Sequence, residues 1–126
     1  MSFSDYLETE ILDHVFAGNA YSAPATIYIG LHTSNPDEDD SGTEVSGGSY
    51  ARQSMAFSVS GNTASNSAAV EFPTATASWG TVSHVGLYDA STAGNLLAYA
   101  ALTASKTIDS GDVFRVPSGD LDITLD

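Results

Sequence analysis

The stretch Ala25–Gln53 constrains the fold more than any other part of the chain. Ala25, Ile27, Ile29 and Leu31 alternate with Thr26, Tyr28, Gly30 and His32, which is the two-residue period of a half-buried strand. Ser34-Asn35-Pro36 ends that run with turn chemistry. An acidic excursion, Asp37-Glu38-Asp39-Asp40-Ser41-Gly42-Thr43-Glu44, follows and is read as a solvated surface loop. Ser46-Gly47-Gly48-Ser49 permits a tight, positive-φ return. Tyr50–Phe57 then alternates again, with Ala51, Gln53, Met55 and Phe57 on one side and Arg52 on the other. Strand, long loop, strand is the expected arrangement, and Arg52 is placed to pair with a loop carboxylate.

Upstream, Asp5 as N-cap with Glu8 three residues on fits a capping box. Leu7, Ile11 and Val15 recur at helical spacing, widened by Leu12 and Phe16, and Gly18-Asn19 supplies a C-cap. A helix over residues 5–17 with one apolar face results. That face either covers a sheet of the same chain or docks into a neighbouring subunit. Pro24 breaks the chain before the first strand.

Downstream, residues 58–67 read as a polar turn region around Gly61-Asn62, and Ala68, Val70 and Phe72 as a short strand closed by Pro73. Trp79, the single tryptophan, is either a core anchor or an interface residue. Thr81–Asp89 is a strand with Val85 and Leu87 inward and His84 and Tyr88 on the other face. A Gly-containing turn joins it to Leu96–Thr103 as a hairpin. Turns at 109–112 and 117–120 bracket a strand at Val113–Val116, and the last strand points Leu121, Ile123 and Leu125 inward, with Asp120, Asp122, Thr124 and Asp126 outward. One helix followed by about seven short strands predicts a mainly β fold, an antiparallel β-sandwich of jelly-roll-like form with one N-terminal α-helix. It forms a single domain over residues 1–126, with the sandwich from about residue 25 onward.

Charge narrows the function classes. The 126 residues carry 16 acidic and 3 basic side chains, a net of −13. Arg52, Lys106 and Arg115 cannot track a phosphate backbone, so nucleic acid is excluded as a partner. No apolar run reaches the roughly 18–20 residues that span a bilayer. The acidic start lacks the basic and apolar regions of a signal peptide, so a soluble chain without membrane association is expected. Cysteine is absent, which removes any disulfide framework. So acidic a surface also suits high salt, because at 1 M the Debye length falls to about 3 Å.

No catalytic pattern emerges. His14, His32 and His84 are dispersed, no H-E-x-x-H or G-x-S-x-G occurs, and Gly47-Gly48 precedes neither a Lys nor a helix. A non-enzymatic chain without a cofactor is expected. Asp37, Asp39, Asp40 and Glu44 are the candidate ligands for a divalent cation, since D-x-D-x-S-G opens a calcium loop. Gly48, however, occupies the twelfth position where a bidentate Glu is required. The candidate interface residues are Leu7, Ile11, Phe16, Tyr50 and Trp79.

Several segments together carry a resemblance: Tyr6-Leu7-Glu8 with Ile11-Leu12-Asp13-His14; Pro24–Thr33; Thr43–Gln53; Phe72–Thr76; Trp79–Val82; His84–Asp89; and the closing Gly111-Asp112 and Gly119-Asp120-Leu121. Over nearly the whole length the chain resembles small virion structural proteins, decoration or tail-fibre-like, of tailed phages and related archaeal tailed viruses. The resemblance implies a particle component at the virion surface, assembled in the host cytoplasm. Its partners would be further copies of itself and other capsid or tail proteins, and a host surface receptor or glycan is a further candidate. It carries no catalytic residues. A capsid decoration or turret subunit is the leading expectation, because the chain has no fibre repeat, coiled coil or stalk. A tail, baseplate or fibre component is the alternative. The acidic composition adds a salt-loving host.

Overall fold

The computed structural model describes residues 1–125. Asp126, assigned an outward position above, lies outside the described residues. In chain order the elements are β1 (Ser2–Phe3), α1 (Asp5–Phe16), β2 (Ile27–His32), β3 (Gln53–Met55), β4 (Phe57–Ser60) and β5 (Thr63–Asn66). There follow β6 (Val70–Glu71), β7 (Gly80–Tyr88), β8 (Leu96–Ile108), β9 (Arg115–Val116) and β10 (Asp122–Thr124). Every strand pairing among the described residues is antiparallel. A five-stranded sheet, β1-β8-β7-β2-β3, is accompanied by a three-stranded sheet, β10-β5-β4, and by the β6-β9 pair. The mainly β class with an N-terminal helix is as the sequence pattern predicts.

The register of the large sheet explains its core. Ile29 lies opposite Leu87, Leu31 opposite Val85, and Val85 opposite Ala100, so these side chains share one face. All but Ala100 are at most 2% exposed. Burying each large aliphatic among them contributes about 1.5–3 kcal/mol. The β7–β8 hairpin appears where the alternation places it, but β8 runs on to Ile108, past a bulge between Val82 and His84.

Five features depart from the sequence expectations. First, the N-cap is Ser4, not Asp5: the Ser4 side chain accepts from Leu7 N–H, so Glu8 sits one residue too late for a capping box. Second, α1 buries none of its residues fully, and Leu12, Val15 and Phe16 are 59%, 62% and 80% exposed. The helical period marks an apolar stripe but does not say whether the same chain covers it. Third, β2 is buried on both faces at Gly30, Leu31 and His32, because the loop after it folds back over the sheet. Fourth, the run Tyr50–Phe57 breaks at Ala56, sending β3 and β4 to different sheets, and the expected turn region 58–67 is largely a β4–β5 hairpin turning at Gly61-Asn62. Fifth, Leu125 is 56% exposed rather than inward.

Asn66, buried at the end of β5, holds the small sheet to the final turn. Its side-chain amide donates to Pro117 O at 2.9 Å and its Oδ1 accepts from Leu121 N–H at 2.9 Å. The turn Gly47-Gly48-Ser49 has positive φ throughout, at 75°, 59° and 66°. Trp79 Nε1–H donates to Gly48 O at 2.8 Å, and a Cβ on Gly48 would lie 2.9 Å from that nitrogen. Only glycine allows this approach.

Candidate functional site

Two kinds of surface stand out, a buried polar cluster under the acidic loop and open apolar ground around α1. The cluster is built on the sheet face opposite the aliphatic core. Gly30 and Gly86 lie opposite one another in β2 and β7. Lacking side chains, they leave room for larger groups: a Cβ on Gly30 would sit 2.7 Å from Glu44 Oε2, and one on Gly86 3.0 Å from both His32 Nε2 and the Tyr88 ring. Into that space the loop carries Glu44. It meets Arg52 through Nε–H to Oε2 at 2.9 Å and Nη2–H to Oε1 at 2.8 Å. Arg52 also donates from Nη1 to Ala90 O and Ala93 O, and its guanidinium carbon lies 3.5 Å from the Tyr88 ring centroid. One side chain thus fastens the loop and the β7–β8 turn to the sheet, combining a bidentate pair with a cation–π contact.

The hydroxyls complete the cluster. Tyr50 O–H donates to Glu44 Oε2 at 2.6 Å and accepts from Leu31 N–H. Tyr88 O–H donates to Asp40 Oδ1 at 2.8 Å, leaving its oxygen to accept from His32 Nε2–H at 3.0 Å. That assigns the His32 proton to Nε2 and leaves Nδ1 as a bare lone pair, buried and without a partner. Burial pushes the His32 pKa below its ordinary value, against the opposing pull of Glu44 and Asp40. Burial alone would raise the Glu44 carboxyl. The hydrogen bonds from Arg52 and Tyr50 overcome it and hold Glu44 below the usual range. Both tyrosine hydroxyls are pushed up, by burial first and then by the carboxylates they serve. The arrangement is a structural clamp in which every polar side chain is tied to a neighbour, His32 Nδ1 alone being left over among the described residues.

The four candidate cation ligands do not converge. Among the described residues no group of three or more His, Asp or Glu side chains is placed to hold a metal ion. Glu44 turns inward to Arg52, and Asp40 to Tyr88. Asp37 and Asp39 satisfy local turn N–H groups, those of Glu38 and Ser41. Asp37 and Asp40 sit in the left-handed region, at φ 57° and 58°, which aspartate tolerates better than most residues. Turn geometry accounts for the acidic loop.

Of the candidate interface residues, Trp79 is 4% exposed within the chain's own core. Tyr50 packs beside it, stacked on Phe72 and edge-on to Trp79 at 5.4 Å. Those two are internal aromatics, not surface anchors. Leu7 and Ile11 are half-buried, and Phe16 is open to solvent. Leu7 also walls a groove of about 390 Å³ with Phe3, Phe57, Val59, Ile123 and Leu125, in which no charged side chain takes part among the described residues. Sequence reasoning missed this groove because β4 and β5 read as turn. It also missed Leu12 and Val15 as exposed surface.

The buried polar groups thus tie the loop to the sheet, and the open apolar ground lies apart from them around α1. Residues 2–124 match the family described as podophage GP4 fiber I protein gp80, and the chain belongs to that family. No curated protein matches it. Family membership places the chain in the virion, among other virion proteins, after assembly in the host cytoplasm.

Proposed function

We propose that the chain is a non-enzymatic structural subunit of a tail fibre or of the fibre's attachment, assembling with further copies of itself. Membership in a phage fibre family over residues 2–124 carries this reading. It supports the fibre role over the capsid decoration or turret role to which the compact, stalkless sequence pointed. The unburied stripe Leu12, Val15 and Phe16 supports assembly, since apolar side chains at helical spacing gain most when covered by a partner. The outer tip of the acidic loop is the part free to meet a host receptor. The acidic surface suits a salt-loving host, bacterial or archaeal.

Immunogold labelling of purified virions tests the proposal. Label at the tail supports it. Label over the capsid shell replaces it with the decoration role, and absence from purified particles overturns both.

A further inference from the structure

Only two of the three cations remain available to a partner. Arg52 is consumed by Glu44 in the one salt bridge among the described residues. Lys106 and Arg115 are both exposed, and among the described residues Arg115 forms no ion pair even with Glu71, its register partner across β6 and β9. Both line a single cleft of about 470 Å³ formed by the second half of β8, β9 and the turn before β10. Among the described residues its walls are otherwise largely apolar, with Leu102, Phe114 and Leu121, and one carboxylate, Asp120. In a chain of net charge −13, a cleft that gathers both uncommitted cations beside apolar walls is a local reversal of the molecule's charge.

Elsewhere the chain carries the complementary surface. On α1, Leu12, Val15 and Phe16 share one exposed face, and Glu8 lies one turn before Leu12 on that face. Glu38 joins it from the acidic loop: Asp5 N–H donates to Glu38 O at 3.0 Å, bringing the loop against the helix start. Repulsion from Glu8 first, and then from Asp5, raises the Glu38 carboxyl above its ordinary range. The isolated chain therefore holds an apolar stripe and a mutually repelling set of carboxylates side by side. Each would be relieved by a surface that is both apolar and cationic.

We infer that α1 of one copy docks into the Lys106–Arg115 cleft of a second copy. The Leu12, Val15 and Phe16 stripe meets the apolar walls, and Glu8 and Glu38 meet the two cations. The two surfaces share no residue, so the contact is heterologous and propagates as a ring or a filament. The groove beside Leu7 does not fit this role, because it lacks charge to complement the helix and α1 itself supplies part of its wall. The inference rests on the reading of the chain as a self-assembling subunit and names the faces involved.

Sedimentation velocity and light scattering on the full chain test it with two exposed-site variants, Phe16→Asp and Lys106→Glu/Arg115→Glu. Circular dichroism melting verifies that each folds. The unmodified chain is expected to assemble, and each variant alone to be monomeric, with the midpoint concentration raised about tenfold or more. Mixing the two variants restores one intact helix–cleft pair and yields a 1:1 dimer that grows no further. A mixture that stays monomeric, variants that assemble like the unmodified chain, or an unmodified chain monomeric up to about 1 mM overturns the inference. Assembly indifferent to both variants would overturn these faces and leave the fibre-subunit reading standing. The placement at the tail falls only with the particle labelling.

Discussion

Arg52 and Glu44 meet as a two-point pair, with contacts of 2.9 and 2.8 Å, and the arginine side chain is only 8% exposed. Eight residues separate them in sequence, yet the pair closes the acidic loop onto the central sheet. The pair sits over Tyr88 and beside two glycines that have no bulk to keep it out.

Removing one partner leaves the other charge buried without compensation. Glu44→Gln or Arg52→Met is therefore expected to lower unfolding free energy by about 3 kcal/mol. Glu44→Gln/Arg52→Met together should cost less than the sum of the single changes, because no uncompensated charge remains. Urea denaturation of the four proteins forms the double-mutant cycle, and additive losses would show the pair to be energetically idle.

Acid should loosen the clamp in two stages. The folded His32 pKa lies below its unfolded value of about 6.5, so below that pH the unfolded chain binds a proton that the native state refuses. Its contribution is whole above pH 6.5 and drains as pH falls toward the folded value. Glu44 is also depressed, so its contribution is whole above about pH 4.5 and is lost as pH falls through its folded value. Tm measured from about pH 8 to about pH 2 should hold level, decline from about pH 6.5, and decline again below about pH 4.5. His32→Gln should remove the first stage and keep the second; an unchanged first stage in that variant would exonerate His32.

Gly86→Ala tests how closely the cluster is fitted. The added methyl would meet Leu96 Cδ1 at 2.9 Å and two ring atoms at 3.0 Å. Overpacking of this kind costs about 1–3 kcal/mol, read as a lower urea midpoint. A loss-free variant would mean that the His32 and Tyr88 rings can shift freely.

How much of this the sequence announces depends on whether the cause is local. β2, β7 and the start of β8 are legible because β-branched and aliphatic residues alternate there with period two. β4 and β5, FSVS and TASN, are not. Their Ser, Thr and Asn side chains carry little apolar signal, and pairing across Gly61-Asn62 makes them strands. His32 and Tyr88 fall on the face that alternation assigns to solvent, and only the returning loop buries them. That Arg52 pairs with a loop carboxylate is legible from its place in the alternating run beside the acidic loop. That Glu44 is the partner, and so is withdrawn from any cation set, needed the three-dimensional path of residues 33–45. The core location of Trp79 likewise depends on the glycine turn at 47–48.

Salt supplies the remaining prediction. With a net charge of −13 and Asp5, Glu8 and Glu38 repelling one another, screening should stabilise the folded chain. Tm is expected to climb as KCl rises toward 1 M, where the Debye length is about 3 Å. Glu38→Gln should gain stability at low salt and show a shallower climb. A flat or falling series would refute adaptation to salt.

The loop that closes over the sheet is anchored at Asp40 through Tyr88 and at Glu44 through Arg52, while Asp37, Asp39 and Ser41 stay at its rim. Such a segment is a tile, not a tether. Its inward corners are set by the fold, but the outward rim is constrained only by turn chemistry. The chemistry of the chain's own loop surface can therefore be rewritten at those rim positions, with the scaffold beneath left unaltered.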